Sequence, residues 1–273
     1  MYAVVQMTGV EDKYPVHKAA KEGRLEDLRS LLASGKHDVN KGTFELVRPL
    51  HEACLVGHFD CASLLIHYGA NVNLANIDGA TALCDACCSG NVQCVQLLLE
   101  HGAQVNPPFL LTSPLHEAVF RDHWECLILL LKYGANMNKS DCHFGTPLHI
   151  AACKGHKTSA AILLRRGACP NIPHIHQTPL HEAARSQDLE FLELLLAHGA
   201  NVYSCNNRGF TARQLVPSST SPCKILLHEW EKFPRSLLHH CRLRIRGALG
   251  PERLTFLPSL RIPKVLINFL NFE

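Results

Sequence analysis

One four-residue phrase recurs along this chain at nearly constant spacing, and that recurrence limits the possible folds more than any other feature. It reads Tyr14-Pro15-Val16-His17, Arg48-Pro49-Leu50-His51, Thr81-Ala82-Leu83-Cys84, Ser113-Pro114-Leu115-His116, Thr146-Pro147-Leu148-His149 and Thr178-Pro179-Leu180-His181, with a worn copy at Thr211-Ala212-Arg213. The second residues of these copies, at 15, 49, 82, 114, 147, 179 and 212, stand 32 to 34 residues apart. A period of that length marks stacked supersecondary units, each too small to bury its apolar face alone. A second fixed mark closes the units: Gly69-Ala70-Asn71, Gly102-Ala103-Gln104, Gly134-Ala135-Asn136, Gly167-Ala168-Cys169 and Gly199-Ala200-Asn201.

Local chemistry turns each unit into a pair of helices. Ser113, Thr146 and Thr178 are cap residues, and the Pro after each sits at the first helical position, where its missing N–H costs nothing. The first helices should end near Gly23, Gly57, Gly90 and Gly155. A second helix such as Val95 to His101 carries the leucine stripe and stops at a glycine suited to the left-handed cap. Loops such as Asn73 to Ala80 and Asn138 to Gly145 then lead to the next unit. Together these residues resemble ankyrin repeats, over roughly residues 14 to 216. The resemblance implies an all-α ankyrin-repeat solenoid of six repeats plus a degenerate seventh. It also implies that the loops project as fingers and that the chain binds protein partners through finger tips and the concave face of the first helices. Pro217 to Pro222 reads as a linker, and Cys223 to Trp230 as a helix closing the open end of the stack.

Composition excludes several function classes. With 47% hydrophobic residues the chain can bury a large core, yet no uninterrupted apolar run reaches the roughly 18 residues of a membrane span. The first 13 residues lack the basic-then-apolar order of a secretory signal. A soluble protein of the cytoplasm or nucleus is expected, with its thirteen cysteines as reduced thiols. Eighteen histidines raise a metal reading, but repetition accounts for most of them. His17, His51, His116, His149 and His181 hold the fourth place of the phrase; His58, His123 and His156 share a second position, and His67, His101 and His198 a third. Cys61, Cys94 and Cys126 are equivalent positions too, and Cys54 and Cys87 take a site where later repeats have Ala152 and Ala184, so they read as small core residues. Cys84-Asp85-Ala86-Cys87 has the spacing of a metal or redox pair but lacks a second pair at zinc-finger distance. No phosphate loop, nucleophile elbow or HExxH motif occurs. No catalytic residue, metal or cofactor is expected.

The last 40 residues differ in character. From Lys232 onward, Lys232, Arg235, Arg242, Arg244, Arg246, Arg253, Arg261 and Lys264 face only Glu252 and Glu273, a local net of +6, whereas the preceding residues are net acidic. Leu237, Cys241 and Ile245 fall at i, i+4 and i+8, one narrow apolar ridge on a helix with Arg242, Arg244 and Arg246 beside it. Gly247 and Gly250-Pro251 should break the tail into a first helix, a short second one and a third near Pro263 to Asn271. In order, Ser236, Leu237, Cys241 and Ile245 match the first helix of a SOCS box, and Leu260, Ile262 and Pro263 fit its cullin element, with Arg261 where that element has its first proline. Residues 234 to 273 thus look like a three-helix SOCS box, and a stack followed by such a box resembles the ankyrin-repeat and SOCS-box family. The expected layout is an N-terminal segment 1–13, repeats 14–216, linker and capping helix 217–233, and box 234–273.

That resemblance implies a non-catalytic substrate receptor of a cullin-RING ubiquitin ligase. Ser236, Leu237, Cys241 and Ile245 would dock Elongin B/C, and Leu260, Ile262 and Pro263 would dock cullin 5 with its RING protein. The ankyrin face would hold an unidentified target, through Leu55, Val56, Phe120, Arg121, Lys154 and Arg185 on the concave side and Phe109, Leu110 and Leu111 in an unusually apolar finger. Phe109, Phe120 and Trp124 have a plainer alternative, folding back between neighbouring repeats. Two other readings stand beside the receptor. One is a scaffold whose basic tail meets nucleic acid or acidic membrane, which the greasy end of the tail opposes. The other is an Elongin-binding adaptor that does not recruit a cullin.

Overall fold

A computed structural model describes residues 13–107, 113–232, 236–259 and 262–272. Among them the regular elements are helices, joined by loops holding isolated two-residue β-bridges. The first helices are Pro15–Lys21, Pro49–Val56, Ala82–Ser89, Pro114–Phe120, Pro147–Lys154 and Pro179–Ser186, followed by the four-residue remnant Ala212–Leu215. Their partners are Leu25–Ala33, Phe59–His67, Val92–Glu100, Trp124–Lys132, Lys157–Arg165 and Leu189–Ala197. This is the all-α ankyrin-repeat solenoid that the resemblance implies. The third of these second helices starts at Val92, about a turn before the expected Val95, because the Asn91 side chain accepts the Cys94 N–H at 2.8 Å and sets the start earlier.

The chain divides into two compact units, Met1–Pro114 and Leu115–Glu273. Leu28, Leu50, Leu65, Leu83 and Leu98 fill the core of the first, with Cys54, Cys61, Cys87 and Cys94 buried among them. Leu127, Leu130, Leu148, Leu163 and Phe191 fill that of the second, with Cys126. These cysteines are small core residues, as their repeat positions predict.

The histidine of the phrase ties each repeat to the next loop. Nε2 of His17 donates to the Val47 carbonyl at 2.9 Å, His51 to Ala80 at 3.2 Å, His116 to Gly145 at 2.9 Å, His149 to Gln177 at 3.1 Å and His181 to Phe210 at 3.2 Å. With the proton on Nε2, Nδ1 is an acceptor. It takes the cap N–H of Arg48, Thr146 and Thr178 in the second, fifth and sixth repeats, at 3.1 to 3.2 Å, and the hydroxyls of Thr146 and Thr178 at 2.8 Å. One neutral imidazole therefore caps its own helix and pins the following loop.

Neutrality has a price in acid. Burial lowers the pKa of all five rings, to about 4 at His51 and His149. An unfolded histidine titrates near 6.5, so between pH 6.5 and about 4 the unfolded chain binds more protons than the native one. The stability held by these rings is complete above pH 6.5 and is lost as pH falls toward 4. Urea midpoints should drop between pH 7.5 and pH 5, with His51 and His149 each contributing roughly 2 kcal/mol to the change. A midpoint constant over that interval would show that the rings are not neutral clasps.

In the second unit the fingers are short and locked. Asp141 Oδ1 accepts the N–H groups of His143, Phe144 and Gly145, and Gly145 has φ +83°. A Cβ at Gly145 would lie 2.6 Å from Cβ of His174, so the finger admits no side chain there. Pro222–Lys232 packs with Cys223 and Leu227 buried, against the remnant Ala212–Leu215 and the second helix of the last full repeat. Arg213 and Glu231 pair at 2.7 Å across that joint.

The tail begins as the helix Leu237–Leu254, interrupted at Gly250 (φ 73°, ψ 167°), and continues as a 3-10 turn Leu257–Ser259 and the helix Lys264–Asn271. The expected break at Gly247 is absent. A single glycine inside a helix costs about 1 kcal/mol and leaves the ladder intact, whereas the proline after Gly250 pushes that residue out of helical geometry. Leu254, Leu257 and Leu270 form a small core with Leu249, Ile262 and Phe269 against it. Among the described residues no helix is long and apolar enough to cross a membrane.

Candidate functional site

The helix from Leu237 has two different faces. Ser236 starts it by accepting the His239 N–H at 3.3 Å. Leu237 is 80% exposed and Ile245 44%, and Cys241 between them is also exposed. The ridge drawn from the i, i+4, i+8 spacing thus lies bare in water. A bare apolar stripe on a helix is uncommon unless something else covers it.

The opposite face is fixed to the later repeats. Leu243 reaches within 3.0 Å of where a Gly199 Cβ would lie, and Leu254 within 2.9 Å of the corresponding point at Gly167. Arg246, which helical spacing places beside the ridge, is only 7% exposed. Its guanidinium donates to the carbonyls of Leu164 at 2.9 Å and Arg165 at 2.7 Å, at the end of Lys157–Arg165, and of Leu270 at 2.6 Å, at the end of Lys264–Asn271. The last carbonyls of a helix lack partners in their own ladder and carry partial negative charge, so one cation satisfies two helix ends at once. Burial, then repulsion from Arg242, pushes Arg246 down to about 10, which leaves it charged at neutral pH. Arg242 lies over the rings of Phe269 and Phe272 at 4.3 and 4.6 Å. The Phe272 ring stacks on His198 at 3.8 Å, and burial with nearby Arg246, Arg165 and Arg242 holds that histidine neutral, at about 4. Arg242 and Arg246 therefore do not flank the ridge in solvent: they hold the helix from behind.

Of the cullin-element residues, Ile262 is half-buried against the small tail core, and Pro263 is exposed just before Lys264–Asn271. Leu260 and Arg261 lie outside the described residues. The neighbouring Val265 and Leu266 are 77% and 50% exposed, an apolar edge beyond Pro263.

The candidate target-binding positions separate in space. In the first unit Leu55 and Val56 are both about half exposed, and Phe44, Leu46 and Ile77, which sequence reasoning passed over, are exposed loop residues. Phe44 and Ile77 carried no repeat-wide signal that marks them. In the second unit Phe120 is half-buried with its ring 5.5 Å from Phe144, while Lys154 and Arg121 sit 4.4 and 5.6 Å from the Phe120 centroid. Arg185 pairs with Glu182 at 3.1 Å and donates to Gln177 at 2.6 Å. Trp124, expected to fold back between repeats, stands 42% exposed at the first position of its helix. Phe109, Leu110 and Leu111 lie outside the described residues. Among the described residues no group of three or more His, Cys, Asp or Glu is arranged to hold a metal ion.

A family model for ankyrin repeats matches residues 16–109, 70–141 and 115–206, and one for the SOCS box matches 233–271. Over all of its 273 residues the chain is 40% identical to Ankyrin repeat and SOCS box protein 5 of Mus musculus, covering 82% of that protein. The chain belongs to the ankyrin repeat and SOCS box family. It is also 40% identical over 263 residues to Ankyrin repeat and SOCS box protein 11 of Mus musculus, covering 96% of this chain and 80% of that one. The crystal structure of the human ASB11 ankyrin repeat domain aligns with a TM-score of 0.74 at 40% identity, over 81% of this chain and 99% of the domain. Membership makes this chain an adaptor of the Elongin B/C and cullin ubiquitin ligase kind.

Proposed function

We propose that the chain is the substrate-recognition subunit of an Elongin B/C and cullin 5 ligase, docking Elongin C with Ser236, Leu237, Cys241 and Ile245. Its ankyrin surfaces hold the target, with Leu55 and Val56 in one unit and Phe120, Arg121, Lys154 and Arg185 in the other. The observation carrying this reading is the bare ridge on a helix whose other face is clamped by Arg246 and Leu243. A clamped helix presents its free side chains already ordered, which lowers the entropy cost of docking. The contribution to rate is proximity, since a tethered target meets the charged conjugating enzyme as a neighbour rather than as a free solute.

Cullin 5 recruitment rests on Leu260, Ile262 and Pro263. Because Ile262 packs into the small tail core, Pro263 is the member of this set to test without disturbing folding. Pro263→Ala should weaken cullin 5 capture several-fold and leave Elongin B/C capture unchanged, read by co-purification of the full chain with each. Equal cullin capture by the variant would mean that the element is misassigned. The scaffold reading loses support from the same geometry, since Arg242 and Arg246 are turned inward and are not offered to phosphates.

A further inference from the structure

We infer that Phe120, Phe144, Arg121 and Lys154 form a clamp for an acidic segment of the target protein, one that presses an apolar side chain onto the paired rings between carboxylates. The inference rests on the reading of this chain as a target receptor and names the chemistry of what it receives.

Three neighbouring elements of the second unit build the clamp. Phe120 ends the first helix Pro114–Phe120 and Arg121 follows it directly; Lys154 ends the next first helix, Pro147–Lys154; Phe144 comes from the finger between them. The rings are 5.5 Å apart and tilted by 52°, with Phe144 43% exposed. The finger carrying Phe144 is set before any partner arrives, because Asp141 holds three successive N–H groups at its tip. A preset aromatic pair facing water is the kind of feature that anchors an apolar side chain.

The charge pattern selects the partner. Lys21, Arg24, Lys157, Arg185 and Arg213 are each paired with a carboxylate of this chain. Lys154 and Arg121 have no such partner among the described residues; both lie over the one Phe120 ring, at 4.4 and 5.6 Å. A ring face attracts a cation by roughly 0.5 to 1 kcal/mol at exposed sites, far less than full neutralisation, and two cations over one ring also repel each other. An incoming carboxylate relieves that repulsion and draws acidic partners in from a distance. A nucleic acid strand fits less well, since Glu117 on the helix that carries Phe120 and Glu182 on the first helix after Pro147–Lys154 interrupt any continuous basic track for a phosphate backbone.

The test is selection from a random-peptide phage library on the full chain co-expressed with Elongin B/C. Wild-type protein should enrich peptides with an aromatic or leucine flanked by Asp or Glu. Phe120→Ser should lower recovery of those clones by at least about tenfold, and the charge-reversed pair Arg121→Glu with Lys154→Glu should do the same while enriching basic clones instead. Circular dichroism and Elongin retention of each variant confirm that it is folded. Enrichment of peptides without acidic residues, recovery that is indifferent to these substitutions, no enrichment at all, or displacement of the peptides by single-stranded RNA at low micromolar concentration would each overturn the inference. Elongin retention is scored on the same samples. Acidic selection without Elongin retention would leave the clamp standing and remove the ligase reading, and Elongin retention without acidic selection would do the reverse.

Discussion

Replacing Leu237 and Cys241 together with alanine should abolish capture of Elongin B/C while leaving the repeats folded. Leu237 is 80% exposed and Cys241 is also exposed, so neither supports the native packing of the chain and their loss should leave the melting temperature within a degree or so. In a partner's pocket the account changes. Burying a leucine side chain contributes about 2 kcal/mol, and a cysteine in contact with it contributes about 1 kcal/mol more. Side chains at the centre of an interface exceed such area-based figures, so a loss of about 3 to 4 kcal/mol, two to three orders of magnitude in affinity, is expected. Co-purification with Elongin B/C from a co-expression, checked by circular dichroism, measures it. Undiminished retention by the double variant would falsify the assignment of this ridge.

Arg246→Ala should have the largest effect on stability, and on one region above all. The substitution removes the guanidinium from the carbonyls of Leu270 and Arg165, leaves that of Leu164 with the Gly167 N–H at 3.1 Å, and opens a void where the buried side chain lay. Hydrogen bonds to a charged donor contribute about 1.5 to 3 kcal/mol each, and unsatisfied buried acceptors add a penalty of their own, so a destabilisation of about 3 kcal/mol or more is expected. Arg246→Lys keeps the charge but not the fork that reaches two helix ends, and should recover less than half of it. Hydrogen exchange localises the damage: amides of Leu237–Leu254 and Lys264–Asn271 should lose protection, whereas those of the first unit, Met1–Pro114, keep theirs. Uniform protection across both units in the alanine variant would show that the guanidinium is not what fastens the box.

The repeats were legible from sequence because their signals are local or periodic. Pro15, Pro49, Pro114, Pro147 and Pro179 each start a helix where the phrase places them, and the recurrence of histidine at one position correctly implied a structural role. What the histidines do was not legible, since the carbonyl each one meets lies about thirty residues away in the next loop. Arg246 shows the limit more sharply. It reads as one more basic residue in a +6 tail, and its function depends on carbonyls 81 and 82 positions earlier that no spacing rule connects to it. Gly247 failed for a different reason. A lone glycine and a glycine before proline look alike as punctuation, but only the second forces the backbone out of the helix. The Phe120 and Phe144 pair was half visible: the helix end could be placed from the repeat, whereas the finger conformation that brings Phe144 to Phe120 depends on the side chain of Asp141.

The distribution of thiols gives the molecule a set of built-in reporters. Cys142, Cys153, Cys169, Cys205 and Cys241 are exposed, while Cys54, Cys61, Cys84, Cys87, Cys94, Cys126 and Cys223 are buried. A brief pulse of maleimide should mark the first group in the native state and reach the second only after the repeats open. Within the first group Cys241 alone lies on the ridge, so its alkylation rate relative to Cys205 reports occupancy of the helix without any engineered label. One mass spectrum then separates a chain that has lost its partner from a chain that has lost its fold.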